Sequence, residues 1–208
     1  MEIYKIGSRG AMVKQIQQAL AGAGLAVIPD GIYGRITLEA VTEFQRMNGL
    51  KVDGMVGPAT LAKLIPCRLR KSKRRITEII VHCSDTPAGR EVTVEDIRRW
   101  HKEKGWSDIG YHYVVYLDGS VHEGRSVDII GAHCEGHNAH SIGVCYVGGK
   151  SGDSNLAKDT RTDRQKAALL SLMLDLRKMY PDAKIYGHRD FAAKDCPCFN
   201  AKYEYRYV

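Results

Sequence analysis

The segment GHRDFAAKDCPC, residues 187–198, places an imidazole, an ammonium group and a thiol within nine positions of one another. These groups belong to His188, Lys194 and Cys196, and the polar and turn-forming residues around them exclude a core element. Imidazole nitrogen and thiolate sulfur are ligands for zinc, whereas a lysine in such a segment is by itself most often a solvated loop residue. The segment is therefore a candidate for part of a metal site near the end of the chain.

A third ligand is predicted at the end of a different element. The apolar run IIV at residues 79–81 is typical of a strand buried on both faces, and His82 follows it directly. His188 follows another short strand predicted at residues 184–186, and sites are often assembled from strand ends at one edge of a sheet. With Cys196 returning on a loop, His82 and His188 are candidates to give zinc three protein ligands and leave its fourth position to water, as in catalytic sites.

A second cluster is an equally good candidate on spacing alone. The stretch HCEGHNAH, residues 133–140, contains His133, His137 and His140 together with Cys134. The chain has eight histidines and six cysteines, so many triples are possible. For any single histidine, a hydrogen-bonded loop position is at least as good an interpretation.

The composition is that of an ordinary globular chain. Its 208 residues suffice for one large domain or for a small and a medium one, and no apolar run approaches the roughly 18 to 20 residues of a membrane helix. No membrane insertion is therefore expected. The first ten residues lack the layout of a secretory signal, which predicts a chain that is either cytosolic or exported by another route. In the cytosol the six cysteines are expected to be free thiols, with one or two reactive or metal-bound.

The net charge of +7 arises mainly in one short stretch. Residues 66–75 carry six basic and no acidic side chains, and the segments on either side are close to neutral. We interpret this stretch as a solvated basic linker, with contact to an anionic surface such as a cell-wall polymer as the alternative. Charge confined to a linker argues against a nucleic-acid partner.

The region before the linker contains an internal repeat. DGIYGRITL at residues 30–38 recurs as DGMVGPATL at residues 53–61, and both follow the pattern D-G-x-x-G-x-x-T-L. The pattern predicts a turn in which the second glycine has positive φ, followed by a helix that threonine can cap. Together with an earlier amphipathic helix, residues 1–65 are expected to form a small three-helix domain.

Residues 76–208 alternate between strand and helix signals. Strands are predicted at 79–81, 111–117, 120–122, 142–147 and 184–186, and helices begin near 93 and at the capping box TDRQ, residues 162–165. Asp118 and Gly119 form a hairpin turn. The predicted fold is α+β, a mixed sheet flanked by helices, preceded by the small helical domain.

The repeat region resembles the peptidoglycan-binding domain family. The resemblance covers about residues 4–65 and is carried by GSRG at 7–10, the helix near 16–20, both D-G turns and AVTEFQ at 40–45. It implies a module that binds bacterial peptidoglycan. The alternative is a helical bundle without a ligand.

The second region resembles the N-acetylmuramoyl-L-alanine amidases of the phage lysozyme type, which are related in fold to the peptidoglycan recognition proteins. Five motifs in order carry the resemblance: VHCS at 81–84, WHKEKGW at 100–106, GYHY at 110–113, NAHSIGVC at 138–145 and KDCP at 194–197. Cys198 departs from the family pattern, in which serine is common at this place. It is close enough to Cys196 to compete for metal or to form a disulfide on oxidation.

The resemblance implies a role for five residues. His82, His188 and Cys196 would be the zinc ligands, Tyr111 a catalytic hydroxyl and Lys194 the catalytic cation. The three histidines of residues 133–140 receive no ligand role and are expected to line a loop near the substrate groove. From the residue pattern alone, Tyr111 would be a half-buried packing residue of a strand.

Taken with the peptidoglycan-binding resemblance, these roles imply a modular phage endolysin. It would use zinc to hydrolyse the amide between N-acetylmuramic acid and L-alanine, would be made in the host cytoplasm and would act at the cell wall, with a monomer expected. A non-catalytic peptidoglycan-recognition protein is one alternative, although relatives of that kind lack the cysteine ligand. A cytosolic amidase that recycles muropeptides is another, but it has little use for a wall-binding domain.

Overall fold

The computed structural model describes residues 3–65, 69–153 and 156–208. The chain divides into two compact units, Met1–Cys67 and Arg68–Val208. Within the described residues, no helix combines the length and the apolarity needed to cross a membrane.

The first unit is built from three helices, as predicted. They are α1 (Ala11–Gly22), α2 (Arg35–Met47) and α3 (Pro58–Leu64). Residues at helical spacing on α1 and α2, among them Ile16, Leu20, Val41 and Phe44, form one buried apolar cluster with Tyr33 and Val56.

Each repeat turn is organised by a buried glutamine from the helix that precedes it. The side-chain amide of Gln17 donates to Asp30, to the Ile32 carbonyl and to the Thr37 hydroxyl, and its carbonyl accepts from the Gly31 N–H at 2.8 Å. Gln45 makes the matching set of bonds in the second repeat, with Asp53, Met55, Thr60 and Gly54. A buried amide with all its polar atoms paired specifies the turn, because a shifted turn would leave them unpaired.

Two details of the predicted turn were wrong. The glycines with positive φ are the first of each repeat, Gly31 and Gly54, whereas Gly34 and Gly57 are extended residues at the helix N-termini. The repeat threonines do not cap the helices, since their hydroxyls are bonded to the buried glutamines instead. The threonine of each repeat is therefore a hydrogen-bond partner of the glutamine in the preceding helix. This contact cannot be predicted from the sequence of the turn alone.

The second unit contains a mixed five-stranded sheet with the order β4-β3-β5-β1-β7. Its strands are β1 (Glu78–Cys83), β3 (Tyr113–Val115), β4 (Val121–Glu123), β5 (Ser141–Tyr146) and β7 (Lys184–Gly187). The hairpin β3–β4 is antiparallel and the other pairs are parallel, and β2 (Thr86–Pro87) with β6 (Gly149–Lys150) forms a separate short pair. This confirms the predicted α+β fold with a mixed sheet.

Three helices accompany this sheet: α4 (Val94–Glu103), α5 (Asp163–Met179) and the short α6 (Ala201–Glu204). The predicted capping box is present at the start of α5, where Thr162 and Gln165 bond each other's backbone N–H groups. Leu169, Leu172 and Met173, at helical spacing on α5, are buried and form its apolar face.

The described part of the basic run differs from a solvated linker. Ser72 is buried, its N–H donates to the Tyr180 hydroxyl, and its own hydroxyl donates to the Val127 carbonyl. The Arg74 guanidinium donates to the carbonyls of Val127, Asn138, Ala139 and Ser141. Residues 66–68 of the predicted linker lie outside the described residues.

We expect Gln17→Leu to lower the free energy of unfolding of the first unit by about 2–4 kcal/mol, because it leaves buried donors and acceptors of the first repeat turn unpaired. Exchange of the α1 amide hydrogens measures this local stability. Gln18→Leu changes an exposed neighbour on the same helix and should alter the same quantity by less than about 0.5 kcal/mol. Equal effects of the two changes would refute the role given to Gln17.

Candidate metal centre

The register of two parallel strands brings the predicted histidines together. Val81 of β1 is paired with Gly187 of β7, so the next residues lie side by side at the carboxyl ends of the two strands: His82, the last residue but one of β1, and His188, directly after β7. Their ring centroids are 4.7 Å apart. The expectation that the two strand ends share an edge is confirmed.

Cys196 returns to this edge on the loop that follows His188. The Cys83 N–H donates to the Cys196 sulfur at 3.3 Å, and the Arg189 N–H donates to the Cys196 carbonyl at 2.7 Å. Gly187 permits the close approach of this loop, since a Cβ at that position would lie 2.6 Å from Cδ of Pro197. The thiol is thereby held beside the imidazoles.

The three side chains form a group with the geometry of a metal site. One ligand atom from each of His82, His188 and Cys196 lies within 4.8 Å of the other two. Nδ1 of His82 is 3.8 Å from the sulfur of Cys196. In a tetrahedral zinc site the usual bond lengths place nitrogen and sulfur about 3.5 Å apart. For the His82–Cys196 pair this is a difference of a few tenths of an ångström, and the two-nitrogen, one-sulfur set is one that zinc accepts.

Local electrostatics keep both imidazoles in the form that binds metal. Burial lowers the pKa of His82 well below its usual value, and the neighbouring His133 and His188 lower it further. Burial also lowers the pKa of His188, with a smaller contribution from the positive charge of Lys194. Neutral rings at pH 7 offer free lone pairs, which metal coordination requires.

His133 contacts His82 at the ring nitrogen that does not face Cys196. This position was not predicted for His133. Nε2 of His82 is 3.0 Å from Nδ1 of His133, and Nε2 of His133 is 3.3 Å from the Ser141 hydroxyl. Because Nδ1 of His82 faces Cys196, its proton belongs on Nε2, which donates to His133. Gly143 makes room for the His133 ring, since a Cβ there would approach it to 2.5 Å.

The expectation that residues 133–140 form a loop near the groove is confirmed for part of the loop. His133 is buried and lines the cleft, together with Cys134, Glu135, Gly136 and Asn138. His137 and His140 lie instead beside Glu78, at the opposite end of β1 from His82. The histidines of residues 133–140 thus lie at two places in the fold: His133 beside His82, and the other two beside Glu78.

A cleft of about 980 Å³ lies over the candidate ligands. Among its lining residues are Trp100, His101, Trp106, Tyr111, Lys194 and Cys196.

The two predicted catalytic residues both line this cleft. Tyr111 lies two residues before β3 begins, and its ring is centred 5.1 Å from that of His82. Burial raises the pKa of Tyr111 well above its usual value, so the hydroxyl keeps its proton at neutral pH. Lys194 is exposed to solvent.

Cys198 contacts groups other than the three candidate ligands. Its sulfur is 3.8 Å from the sulfur of Cys83 and 3.2 Å from the Gly149 carbonyl. The hydrogen bond with Cys196 raises the pKa of Cys83 to about 12, which keeps the Cys83 thiol protonated. The expected competitor for Cys196 is therefore paired with Cys83. Cys67 lies outside the described residues.

Comparison with known proteins agrees with the fold and the site. Residues 72–199 match the N-acetylmuramoyl-L-alanine amidase family, and residues 9–64 match the peptidoglycan binding domain family. The chain is 43% identical over 136 residues to the endolysin of Klebsiella phage KP32, a match that covers 65% of this chain and 89% of the phage protein. The chain belongs to the N-acetylmuramoyl-L-alanine amidase family.

Solved structures show the same relationship. The N-acetylmuramoyl-L-alanine amidase LysC from Clostridium intestinale is 27% identical, with a TM-score of 0.53 over 64% of this chain and 83% of that chain. Wild-type Drosophila PGRP-LB is also 27% identical, with a TM-score of 0.53 over 70% of this chain and 91% of that chain. The resemblance inferred from the sequence motifs is confirmed.

Sequence reasoning missed the supporting role of His133. The available signal was a glycine inside an apolar strand, Gly143 in SIGVCYV, since such a glycine often marks close approach of another group. It indicates that something packs against the strand at that point but does not identify the imidazole.

We expect His133→Ala to weaken cobalt(II) binding at Cys196 by about 10- to 100-fold, because the partner that orients His82 is lost. The thiolate-to-metal charge-transfer band reports binding at this cysteine. His133→Asn supplies an oxygen near the position of Nδ1 and should retain most of the affinity. His122→Ala removes a histidine that stacks on Tyr116 and serves as the control. Unchanged binding in His133→Ala would contradict the supporting role.

Proposed function

We propose that this chain is a zinc-dependent N-acetylmuramoyl-L-alanine amidase that acts as a modular endolysin. Its substrate would be the amide between the lactyl group of N-acetylmuramic acid and L-alanine in bacterial peptidoglycan. The observation that carries the proposal is the convergence of His82, His188 and Cys196 beneath a cleft, in a chain of the amidase family.

The ligand set indicates what the metal would contribute. When bound by His82, His188 and Cys196, zinc would polarise the scissile carbonyl and acidify water. Three protein ligands leave room for solvent, which favours a catalytic over a structural site. The cysteine ligand also supports catalysis over recognition alone, because the non-catalytic relatives considered above lack it.

Lys194 is the candidate for stabilising the negative charge of the tetrahedral intermediate. It lies two residues from Cys196, and its charge contributes to the lowered pKa of both His82 and His188. A thiolate ligand cancels part of the charge of zinc, so an additional cation beside the carbonyl oxygen would restore part of the lost stabilisation. Its exposure allows the side chain to reach a bound substrate.

Tyr111 is the candidate for a neutral hydrogen-bond donor at the reacting group. Its raised pKa keeps the hydroxyl protonated throughout the neutral range. A protonated hydroxyl can orient the attacking water or donate toward the leaving amine. The ring of His101 also contacts that of Tyr111, with centroids 5.4 Å apart, and its Nδ1 accepts from the Gly110 N–H at 2.9 Å, which fixes the backbone before Tyr111.

The first unit would hold the enzyme on its insoluble substrate. A separate binding module raises the effective concentration of the catalytic unit at the polymer without changing the chemistry. This arrangement suits an enzyme made in the host cytoplasm that acts at the bacterial wall, and it is of little use for soluble fragments. We therefore favour wall lysis over fragment recycling.

Mass analysis of digested peptidoglycan tests which bond is cut. We expect free peptides that begin with L-alanine, together with intact glycan strands. Cys196→Ser should abolish this release. Shortened glycan strands, cleavage within the peptides, or unchanged lysis by Cys196→Ser would contradict the proposed reaction.

Variants of the two other candidates separate their roles. We expect Lys194→Ala to lower kcat by about 10²- to 10³-fold, since it removes a charge from the intermediate. Tyr111→Phe should lower kcat by about 10²-fold or more. Both should retain cobalt(II) binding at Cys196, because neither residue is a ligand. Lys178→Ala on α5 is the matched control for lost charge, with its lysine 77% exposed. Activity within twofold of wild type for Lys194→Ala would contradict the role of the cation.

A further inference from the structure

A second group of metal-ligand side chains lies at the start of β1, apart from the candidate zinc centre. It consists of Glu78, His137 and His140, and one ligand atom from each lies within 4.8 Å of the other two. None of the three has a part in the proposed reaction. We propose that this group is a second metal site, which takes zinc or a similar divalent transition metal ion.

Local structure places the two histidines on one face. His137 directly precedes the 3-10 turn Asn138–His140 and His140 is its last residue, and residues at this spacing in such a turn eclipse each other. Glu78 is the first residue of β1, and its partner in the register with β5 is Ser141, directly after His140. The Thr77 N–H donates to the His140 carbonyl at 2.9 Å, which ties the turn to the strand.

One distance in the group matches that of ligands sharing an ion, and the other is a hydrogen bond that an ion would lengthen by about 0.6 Å. Nδ1 of His137 is 2.8 Å from Oε2 of Glu78, an ordinary hydrogen bond. Nε2 of His140 is 3.4 Å from the same oxygen, which is too long for a good hydrogen bond. The usual zinc bond lengths give a ligand separation of about 3.4 Å in a tetrahedral site. An ion would take the place of the proton between His137 and Glu78.

The donor set and its exposure also favour a transition metal. Two imidazoles and one carboxylate are a recurring set for zinc, whereas calcium and magnesium prefer oxygen ligands alone. Glu78 is 16% exposed, His137 28% and His140 39%, so the carboxylate is largely covered while an ion can still enter from solvent. Lys184 is registered beside Glu78 on β7, but its side chain is exposed and its charge is screened.

The proposed ion would connect parts of the fold that support the candidate zinc centre. Glu78 and His82 are four residues apart on one strand, about 13 Å. The ring of His137 packs on Phe191 at 3.8 Å between centroids, three residues beyond His188. Residues 133–140 also carry His133, which backs His82. An ion at Glu78 would thus fasten this loop to β1 without touching the cleft.

Metal titration of the full chain tests the proposal, with cobalt(II) as the probe after removal of metals by a chelator. We expect wild type to bind two equivalents, one with the thiolate charge-transfer band of Cys196 and one without it. His140→Ala and Glu78→Gln should each bind one equivalent and keep the band. Cys196→Ala should also bind one equivalent but lack the band. His122→Ala, which changes a histidine outside both groups, should still bind two.

Other results would overturn the second site. It is refuted if wild type binds only the equivalent that shows the thiolate band, or if Glu78→Gln and His140→Ala both still bind two. Far-UV circular dichroism verifies that each variant is folded, and His140 is exposed enough for its change to alanine to be tolerated. Because the thiolate band reports Cys196 separately, failure here is distinguishable from failure of the proposed amidase site.

Discussion

The parallel pairing of β1 with β7 is the constraint on which the candidate active site depends. It sets Val81 beside Gly187, and therefore His82 beside His188. A shift of this register by one residue would turn one imidazole to the other face of the sheet. The apolar side chains of β1 resist such a shift, since Ile79, Ile80 and Val81 are fully buried. Packing of the sheet thus determines where the two nitrogen ligands lie.

The sulfur ligand depends on a different contact. Cys196 is on an irregular loop, and it reaches the sheet edge because the loop packs closely against Gly187 and the Cys83 N–H donates to its sulfur. His133 then fixes the orientation of His82. The site is assembled from two strand ends, one loop and one supporting imidazole, so it is fully formed only when the whole sheet is folded.

Much of this arrangement was predictable because it follows from local patterns. The apolar run before His82 and the short strand before His188 predict two strand ends, and parallel strands bring such ends to one edge. The motifs shared with the amidase family then favoured Cys196 over the crowded cluster at residues 133–140. The capping box at Thr162 was predictable for the same reason, since all its partners lie within three residues.

What the sequence did not predict depends on contacts between distant residues. Thr37 is bonded to Gln17, twenty residues earlier, so it was misread as a helix cap. Ser72 was assigned to a solvated linker, but its partners are Val127 and Tyr180. The separation of His133 from His137 likewise depends on the course of a turn between two strands. The spacing of residues along the sequence does not predict these long-range contacts.

X-ray absorption spectroscopy of the full-length His140→Ala variant, which lacks a ligand of the proposed second site, tests the central claim most directly when it is loaded with one equivalent of zinc. The account predicts one sulfur at about 2.3 Å and three nitrogen or oxygen neighbours at about 2.0–2.1 Å, one of them solvent. A spectrum with no sulfur neighbour, or with two, would contradict a centre formed by His82, His188 and Cys196.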